Sequence, residues 1–266
     1  METFKSLSNL TGRTAMITGA AGGLGKVFAR TLAELGANLI LVDVNTQGLD
    51  SLAKEINANL NVKIKILNCD LENESEREKL ISSVAHAIEE LNILVNNAAL
   101  VGSSKLTGWS VPFEDQTLDT WRRAIEVNLT SIFHLIKGLT PILKKSKGAS
   151  VVNIASIHGV YAPNWDLYKE TELSSPAAYS ISKGGLIQLT RWLSTTLAPD
   201  VRVNSISPGG INRDQDSIFI KRYEEKVPLK RMGKEEDLIG AISFLTSDLS
   251  RYVTGINLLV DGGWGI

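Results

Sequence analysis

The sequence lacks the features that would point to a partner other than a small molecule. Its 266 residues carry 28 basic and 29 acidic side chains, a formal net charge of −1, so no global basic field exists for nucleic acid or an anionic membrane. No apolar run approaches the ~18 residues of a membrane span, and segment 1–12 lacks the apolar core of a signal peptide. We therefore expect a cytoplasmic protein that binds neither nucleic acid nor membrane.

Cysteine and histidine are scarce. The single cysteine, Cys69, excludes a disulfide within the monomer, and its place at the end of an apolar run predicts a buried, inert thiol. The three histidines, His86, His134 and His158, show no metal-ligand spacing. We predict no metal site. His158 stands two residues beyond Ser156, where it either touches the substrate or lies in solvent.

Short apolar runs alternate with longer segments of helical period, and no linker or repeat divides the chain. The predicted strands are Thr14–Thr18, Asn38–Asp43, Lys63–Cys69, Ile93–Asn96, Ser150–Ala155, Val201–Ile206 and Asn257–Val260; the predicted helices are Leu24–Leu35, Gln47–Asn57, Glu74–Glu90, Leu118–Lys144, Ala178–Leu197 and Glu235–Thr246. This pattern predicts an α/β fold in one domain, residues 1–266: a Rossmann-type, doubly wound, seven-stranded parallel sheet with helices on both faces. The ligand should bind beyond the carboxyl ends of the strands.

A glycine-rich turn joins the first predicted strand to the first predicted helix. The segment runs Thr18-Gly19-Ala20-Ala21-Gly22-Gly23-Leu24-Gly25, and glycines there let backbone amides approach a pyrophosphate. Three glycines alone could form a bare turn, but their place between strand and helix favours a dinucleotide site. We assign Gly19, Gly23, Leu24 and Gly25 to that site.

Acidic residues end the next two predicted strands. Asp43 stands 18 residues beyond Gly25, where a carboxylate can accept hydrogen bonds from both ribose hydroxyls of NAD and repel a 2′-phosphate. The cofactor prediction is therefore NAD; the alternative is that Asp43 only caps the following helix. Asp70, followed by Leu71, could reach the adenine edge or cap a helix in the same way.

Tyr179 and Lys183 are four residues apart in a predicted helix and so share one face. A phenol has a pKa near ~10, and a neighbouring ammonium group would lower that pKa towards the range of a general acid or base. Ser156, just beyond the fifth predicted strand, offers a hydroxyl to polarise a substrate oxygen. Asn128, inside the long predicted helix, could hold a water that relays protons to Lys183.

These motifs together resemble the compact branch of the short-chain dehydrogenase/reductase family. They occur in the family's order from Thr11 to the carboxyl terminus: the glycine loop, Asn96-Asn97-Ala98-Ala99, Asn128, Ser156, Tyr179, Lys183, Pro208-Gly209-Gly210-Ile211 and Val253-Thr254-Gly255 through Val260-Asp261-Gly262-Gly263. The resemblance implies an NAD-dependent oxidoreductase that interconverts a secondary alcohol and a ketone, and a homodimer or homotetramer. The alternative is a protein that binds a dinucleotide without catalysing a reaction. Such a protein would not need Asn128, Ser156, Tyr179 and Lys183 together.

The resemblance also implies roles for the matching residues. Tyr179 would be the acid/base and Ser156 the orienting hydroxyl. Lys183 would lower the pKa of the tyrosine and hold the nicotinamide ribose, while Asn128 would keep the relay water. Five further residues would lie along the cofactor: Asn97, Ala98, Pro208, Gly209 and Ile211.

The sequence departs from the family pattern in three ways, at two positions and in one spacing. Ala99 replaces a glycine found in many members, a change that should preserve the cofactor contact. Arg213 replaces a threonine that bonds the nicotinamide amide in many members, so that contact is not carried over. Ser156 and Tyr179 are 23 residues apart, farther than in most compact members.

Two irregular segments, 101–115 and 157–176, follow predicted strands and should lie at the ligand edge. The second resembles the stretch that lines the sugar site in the nucleotide-sugar epimerase and dehydratase branch. The chain as a whole resembles oxidoreductases of surface-polysaccharide or flagellin-glycan biosynthesis. We therefore expect a carbohydrate substrate against Tyr161 and Trp165, with 3-oxoacyl-thioester (acyl-carrier-protein type) reduction as the alternative.

The remaining large or basic side chains receive simpler interpretations. Trp109 either faces the ligand or packs, and Trp121 and Trp192 are expected to pack within their helices. The basic group Lys221, Arg222 and Lys226 is expected to be a solvated helix face, the alternative being that one of its members reaches an anionic substrate.

Overall fold

The part of the chain that the structure describes forms a sheet of seven parallel strands in the order β3-β2-β1-β4-β5-β6-β7. The computed structural model describes residues 2–101, 104 and 106–266, so positions 102, 103 and 105 of the predicted loop 101–115 lie outside the described residues. The strands are β1 (Thr14–Thr18), β2 (Asn38–Asp43), β3 (Ile64–Asn68), β4 (Ile93–Asn96), β5 (Ala149–Ile154), β6 (Val201–Pro208) and β7 (Asn257–Val260). The order reverses between β1 and β4, which confirms the predicted doubly wound fold and puts its ligand crevice there.

Helices connect the strands. They are α1 (Phe4–Ser8), α2 (Gly23–Glu34), α3 (Thr46–Asn59), α4 (Glu74–Ala87), α5 (Leu118–Ile125), α6 (Ser131–Lys145), α7 (Ala177–Thr196), α8 (Ser217–Lys226) and α9 (Ile239–Thr246). The long helix predicted for 118–144 is interrupted by a π-helical turn, Glu126–Thr130. Helices α1 and α8 were not predicted. None of the described helices is both long enough and apolar enough to cross a lipid bilayer.

Successive strand residues point to opposite faces of the sheet and bury two apolar layers. Met16 faces a cluster with α4, α6 and α7, while Ala15 and Ile17 face a cluster with α2, α3 and α9. Cys69 is buried in the first cluster, and burial raises the pKa of its thiol to about 11. The thiol therefore stays protonated at neutral pH, as predicted for an inert cysteine.

Candidate active site

The glycine loop forms a backbone cradle at the start of α2. Gly19 has φ +64°, and a methyl group added there would lie 2.8 Å from the Cα of Ala98; one added at Gly25 would overlap the carbonyl oxygen of Gly19. Gly22 caps α2 without a side-chain hydrogen bond. A helix amino terminus whose own residues carry almost no side chains leaves its backbone amides open to a pyrophosphate. Leu24 is half-buried and packs against the core below.

Asn97 and Ala98 brace this loop from the neighbouring strand. The side-chain amide of Asn97 donates to the carbonyl oxygens of Thr18 and Gly19, at 3.0 Å each. The Thr18 hydroxyl accepts from the backbone amides of Asn97 and Ala98 at 3.0 and 3.2 Å. The residues predicted to lie along the cofactor therefore hold the shape of its cradle.

Asp43 is fixed beside the glycine loop by backbone donors. Its carboxylate accepts from the amides of Ala21 at 3.0 Å and Asn45 at 2.9 Å. Helix α3 is capped by Asn45, whose side chain accepts from the amide of Gly48. The interpretation of Asp43 as only a helix cap is therefore wrong.

Asp70 and Leu71 lie beyond the end of β3. The exposed Asp70 accepts from the amide of Glu72 at 2.9 Å, and Asn73 caps α4, so the capping interpretation of Asp70 is also wrong. Leu71 is buried, and its carbonyl oxygen accepts from Nη1 of Arg77 at 2.5 Å.

Arg77 is a buried residue whose role the sequence analysis missed. Its guanidinium pairs with Glu126 at 2.6 Å, at the start of the π turn, and donates to Nδ1 of His134 at 3.2 Å. The signal was present, because Arg77 falls on the apolar stripe of α4 with Leu80 and Val84. A buried arginine needs such partners, and this one ties the end of β3 to the turn that carries Asn128.

Asn128 holds neighbouring segments together through its side-chain amide. Its Oδ1 accepts from the amide of Leu100 at 2.8 Å, and its Nδ2 donates to the carbonyl of Leu100 at 3.0 Å and to the Ser182 hydroxyl at 3.1 Å. A relay water at Asn128 could bind the second lone pair of Oδ1 or the main chain of the π turn, where the regular helical bonding is broken.

Ser156 reaches Tyr179 because the intervening loop folds back onto α7. Ser156 is buried and begins a 3₁₀ turn, Ile157–Gly159, by accepting from the amide of His158 at 3.2 Å. A methyl group added at Gly159 would lie 2.6 Å from the carbonyl carbon of Lys183. The contact between the backbones of Gly159 and Lys183 brings Ser156 close to Tyr179, although the two are 23 residues apart in the sequence.

Burial shifts the pKa values of Tyr179 and Lys183 in α7. Burial raises the pKa of Tyr179, opposed by a hydrogen bond from Ser156 and by the charge of Arg213. Lys183 donates from Nζ to the carbonyl of Ile154 at 2.7 Å, and burial lowers its pKa to about 7. Desolvation disfavours the ammonium form of Lys183 itself, so the lowering of the Tyr179 pKa by Lys183 stays a prediction.

The candidate substrate residues lie in different surroundings. His158 is half-buried, and its ring meets that of Tyr179 edge to face at 6.1 Å, so the interpretation as a solvated histidine is wrong. Burial lowers the pKa of His158. Tyr161 is half-buried with its hydroxyl against Gly265. Trp165 is 55% exposed and lies 5.7 Å from the ring of Tyr168.

Three other tryptophans, Trp109, Trp121 and Trp192, differ in burial, and the last two are more exposed than the sequence predicts. Trp109 is buried, donates from Nε1 to the carbonyl of Val101 at 2.8 Å and packs in a cluster with Tyr179. It is a packing residue behind the candidate acid/base. Trp121 and Trp192 are 39% and 56% exposed, so the expectation that they pack inside is wrong: they lie on outer helix faces.

Helix α8 and the final residues close one side of the site. The Tyr223 hydroxyl accepts from the amide of Gly210 at 2.7 Å, and its ring stacks on Trp264 at 4.7 Å. A methyl group added at Gly209 would lie 2.8 Å from that hydroxyl. The turn from Pro208, the last residue of β6, to Ile211 is thereby held against α8.

The basic face of α8 is partly engaged. Arg222 pairs with Glu170 at 2.8 Å and donates to the carbonyl of Lys169. Lys226 lies over the ring of Trp264 at 4.3 Å, and Lys221 is exposed. Arg222 therefore ties the loop 157–176 to α8, and Lys226 ties Trp264 to the same helix.

Replacing Lys183 by methionine is expected to raise the free energy of unfolding by roughly 1–2 kcal/mol at pH 7. Between about pH 7 and 10.5 the folded protein binds fewer protons at Lys183 than the unfolded chain, so the destabilising contribution of Lys183 shrinks as the pH rises. The advantage of the variant should therefore be largest at pH 7 and below and fade towards pH 10.

Denaturant unfolding at several pH values measures this difference. The exposed Lys79→Met is the control and should show a difference that does not change with pH. A Lys183→Met protein less stable than wild type at every pH would contradict the prediction. Turnover and cofactor affinity should fall in the same variant and in Lys183→Ala.

Comparison with known proteins places these features in a family. A family model described as enoyl-(acyl carrier protein) reductase matches residues 19–265. The chain is 34% identical to a trans-4-hydroxycyclohexanecarboxylate dehydrogenase of Sinomonas cyclohexanicum (94% of this chain, 92% of the relative). It is 30% identical to a 3-oxoacyl-(acyl-carrier-protein) reductase of Thermotoga maritima (96% and 98%), and 27% identical to post-translational flagellin modification protein A of Campylobacter coli (97% and 100%).

Solved structures of short-chain dehydrogenases and related enzymes resemble this chain over nearly its whole length. A short chain dehydrogenase of Leptospira borgpetersenii with bound NAD⁺ superposes with a TM-score of 0.83 at 32% identity, over 100% of this chain and 97% of that one. A gluconate 5-dehydrogenase of Burkholderia cenocepacia in complex with NADP and tartrate gives 0.86 at 25% identity, over 98% of each. With the sheet order and the motifs above, these likenesses identify the chain as a member of the short-chain dehydrogenase/reductase family, an oxidoreductase that works with a nicotinamide dinucleotide.

Proposed function

We propose that this chain is an NAD(H)-dependent dehydrogenase that interconverts a secondary alcohol and a ketone on a carbohydrate or a similar polyhydroxylated molecule. The observation that carries the proposal is the meeting of Ser156, Tyr179 and Lys183 beside the bare glycine cradle, with Asp43 at its edge. Spectrophotometric assay of NAD reduction against a panel of polyols and sugars, with acyl thioesters as competitors, tests it.

The chain's own residues supply proton handling and orientation. A nicotinamide dinucleotide held at the glycine loop, Gly19 to Gly25, would supply the hydride or its acceptor. The Ser156 hydroxyl orients the substrate oxygen, and the Tyr179 phenol donates a proton to it during reduction and accepts one during oxidation. Lys183 lies with Nζ 5.8 Å from the centroid of the Tyr179 ring. Because burial brings its pKa to about 7, it can exchange protons at neutral pH.

Asp43 is the proposed determinant of cofactor choice. Its carboxylate, held by two backbone amides, would accept from the ribose hydroxyls and repel a 2′-phosphate. We expect kcat/KM to favour NAD over NADP by on the order of 10²-fold, since charge repulsion is the discriminating effect. Asp43→Ala combined with Asn45→Arg should largely abolish this preference.

Steady-state kinetics with both cofactors measures the ratio. Asp70→Ala, which removes an exposed carboxylate from the end of the neighbouring strand, is the control and should leave the ratio unchanged. Equal or better turnover of the wild type with NADP would overturn the assignment of NAD.

The loop 157–176 is the proposed wall of the substrate pocket. Both its ends lie at the reacting centre, at Ser156 and Tyr179, and its hydrophilic side chains suit a sugar better than an acyl chain. We expect Tyr161→Ala to raise KM for carbohydrate substrates by roughly tenfold, from the loss of an aromatic contact worth about 1 kcal/mol or more, with NAD affinity intact. Trp165→Ala, at an exposed position, should have the smaller effect.

Substrate saturation curves and NADH titrations separate the outcomes. Tyr252→Ala, at a fully exposed tyrosine, is the control. If the Tyr161 variant changes only the oligomeric state, the loop is a subunit contact. If thioesters outcompete every sugar, the enzyme is instead a 3-oxoacyl-thioester reductase.

A homodimer or homotetramer is part of the proposal. Its support is the family membership together with large apolar side chains exposed on three helices, α5 to α7: Leu118, Trp121, Phe133, Ile181 and Trp192. Such a surface is typical of a protein–protein contact.

A further inference from the structure

Arg213 forms an ion pair at the edge of the cofactor site. It follows the Pro208–Ile211 turn and departs from the family's threonine. Its Nε donates to Oε1 of Glu235 at 2.9 Å, and the two side chains are 44% and 22% exposed. The backbone amide of Arg213 donates to the side chain of Gln215 at 2.8 Å. The backbone is thus anchored while the guanidinium stays accessible.

This ion pair lies against the phosphate cradle. A methyl group added at Gly23, the first residue of α2, would lie 2.7 Å from Oε1 of Glu235 and 3.2 Å from Nη2 of Arg213. The charge of Arg213 also acts on Tyr179. The guanidinium therefore lies at the amino terminus of α2, and the carboxylate of Glu235 lies where a diphosphate would approach that terminus.

We propose that Arg213 binds the diphosphate of the dinucleotide and that Glu235 competes for it, the guanidinium exchanging the carboxylate for the diphosphate when the cofactor binds. The inference rests on the glycine-loop cofactor site of the proposed function. A guanidinium offers the same fork of donors to a carboxylate and to a phosphate. Because a solvent-exposed ion pair contributes little to stability, the exchange costs little.

Removing the guanidinium tests whether Arg213 binds the diphosphate. Arg213→Gln should weaken binding of NADH, NADPH and ADP-ribose by roughly tenfold or more, as expected for a lost hydrogen bond to a charged group. The loss should be similar for all three because each carries the same diphosphate. Arg213→Lys should restore part of the affinity, since it keeps the charge but loses the fork.

Glu235→Gln tests whether Glu235 competes with the diphosphate for Arg213. It releases Arg213 and removes a negative charge from the cradle, so NADH should bind roughly two- to fivefold more tightly. Arg30→Gln is the matched control, because Arg30 pairs with Glu55 at 2.6 Å on α2 and α3 and is 41% exposed. It should leave all three affinities unchanged.

Fluorescence titration of NADH and NADPH, calorimetric titration of ADP-ribose and thermal unfolding of each variant measure these effects. Unchanged affinities in Arg213→Gln would overturn the inference, as would a loss confined to NADH and NADPH, which would place Arg213 at the nicotinamide end. Weaker binding in Glu235→Gln would overturn the competition. A wild type that prefers NADPH would defeat the assignment of NAD but leave the Arg213 effect in place.

Discussion

Replacing Tyr179 by phenylalanine is expected to lower kcat by on the order of 10²-fold or more. The variant keeps the ring that packs beside Trp109 and edge to face with His158, so the shape of the site should persist. It loses the only atom that can exchange a proton with the substrate oxygen in the proposed mechanism. Affinity for NADH should change little.

Stopped-flow or steady-state assays with the best substrate, paired with NADH titration, measure the two quantities separately. Tyr252→Phe removes the same hydroxyl from a fully exposed tyrosine and should behave as wild type. If Tyr179→Phe turns over at a rate near that of the wild type, Tyr179 is a packing residue and the proposed mechanism fails.

Replacing Gly25 by alanine is expected to disable the cofactor site. The added methyl would overlap the carbonyl oxygen of Gly19 and lie 2.8 Å from the Cα of Ala20. Both neighbours are backbone, so the loop and α2 must move apart. We expect a loss of stability of about 1–3 kcal/mol from overpacking and a fall in kcat/KM on the order of 10²-fold, because a misplacement of about 1 Å can cost that much.

Gly240→Ala is the matched control. Gly240 lies in the first turn of α9, and a methyl group added there meets nothing within 4 Å. This variant should bind NADH normally and gain up to about 1 kcal/mol of stability, since alanine favours helix more than glycine does. Thermal unfolding and NADH titration of both variants decide the matter; normal NADH binding by Gly25→Ala would mean that the cradle lies elsewhere.

The central strands were predictable because each is buried on both faces. The bounds of β1, β2 and β4 agree with the prediction residue for residue, since short apolar runs bounded by polar residues admit few other structures. Asp43 could be placed beside the glycine loop for the same reason: parallel strands end at one edge of the sheet.

The features that the sequence did not predict depend on contacts between residues distant in sequence. The π turn that carries Asn128 is stabilised through Arg77 of another helix, which local periodicity cannot reveal. The pKa of Lys183 reflects its burial against the carbonyl of Ile154, not its four-residue spacing from Tyr179. Helix α8 has a weak apolar pattern of its own and packs through Tyr223 against Trp264, near the other end of the chain.

The strand order also bears on how the chain folds during synthesis. The first three strands can pair among themselves, but β1 keeps one open edge until Ile93–Asn96 has been made. From there β5, β6 and β7 each join the strand made just before it, so growth proceeds by addition at a single edge. Until the next strand has been made, the edge strand of the growing sheet is unpaired on one side and can pair with another chain. We expect slow, concentration-sensitive refolding and aggregation of nascent fragments that end between strands.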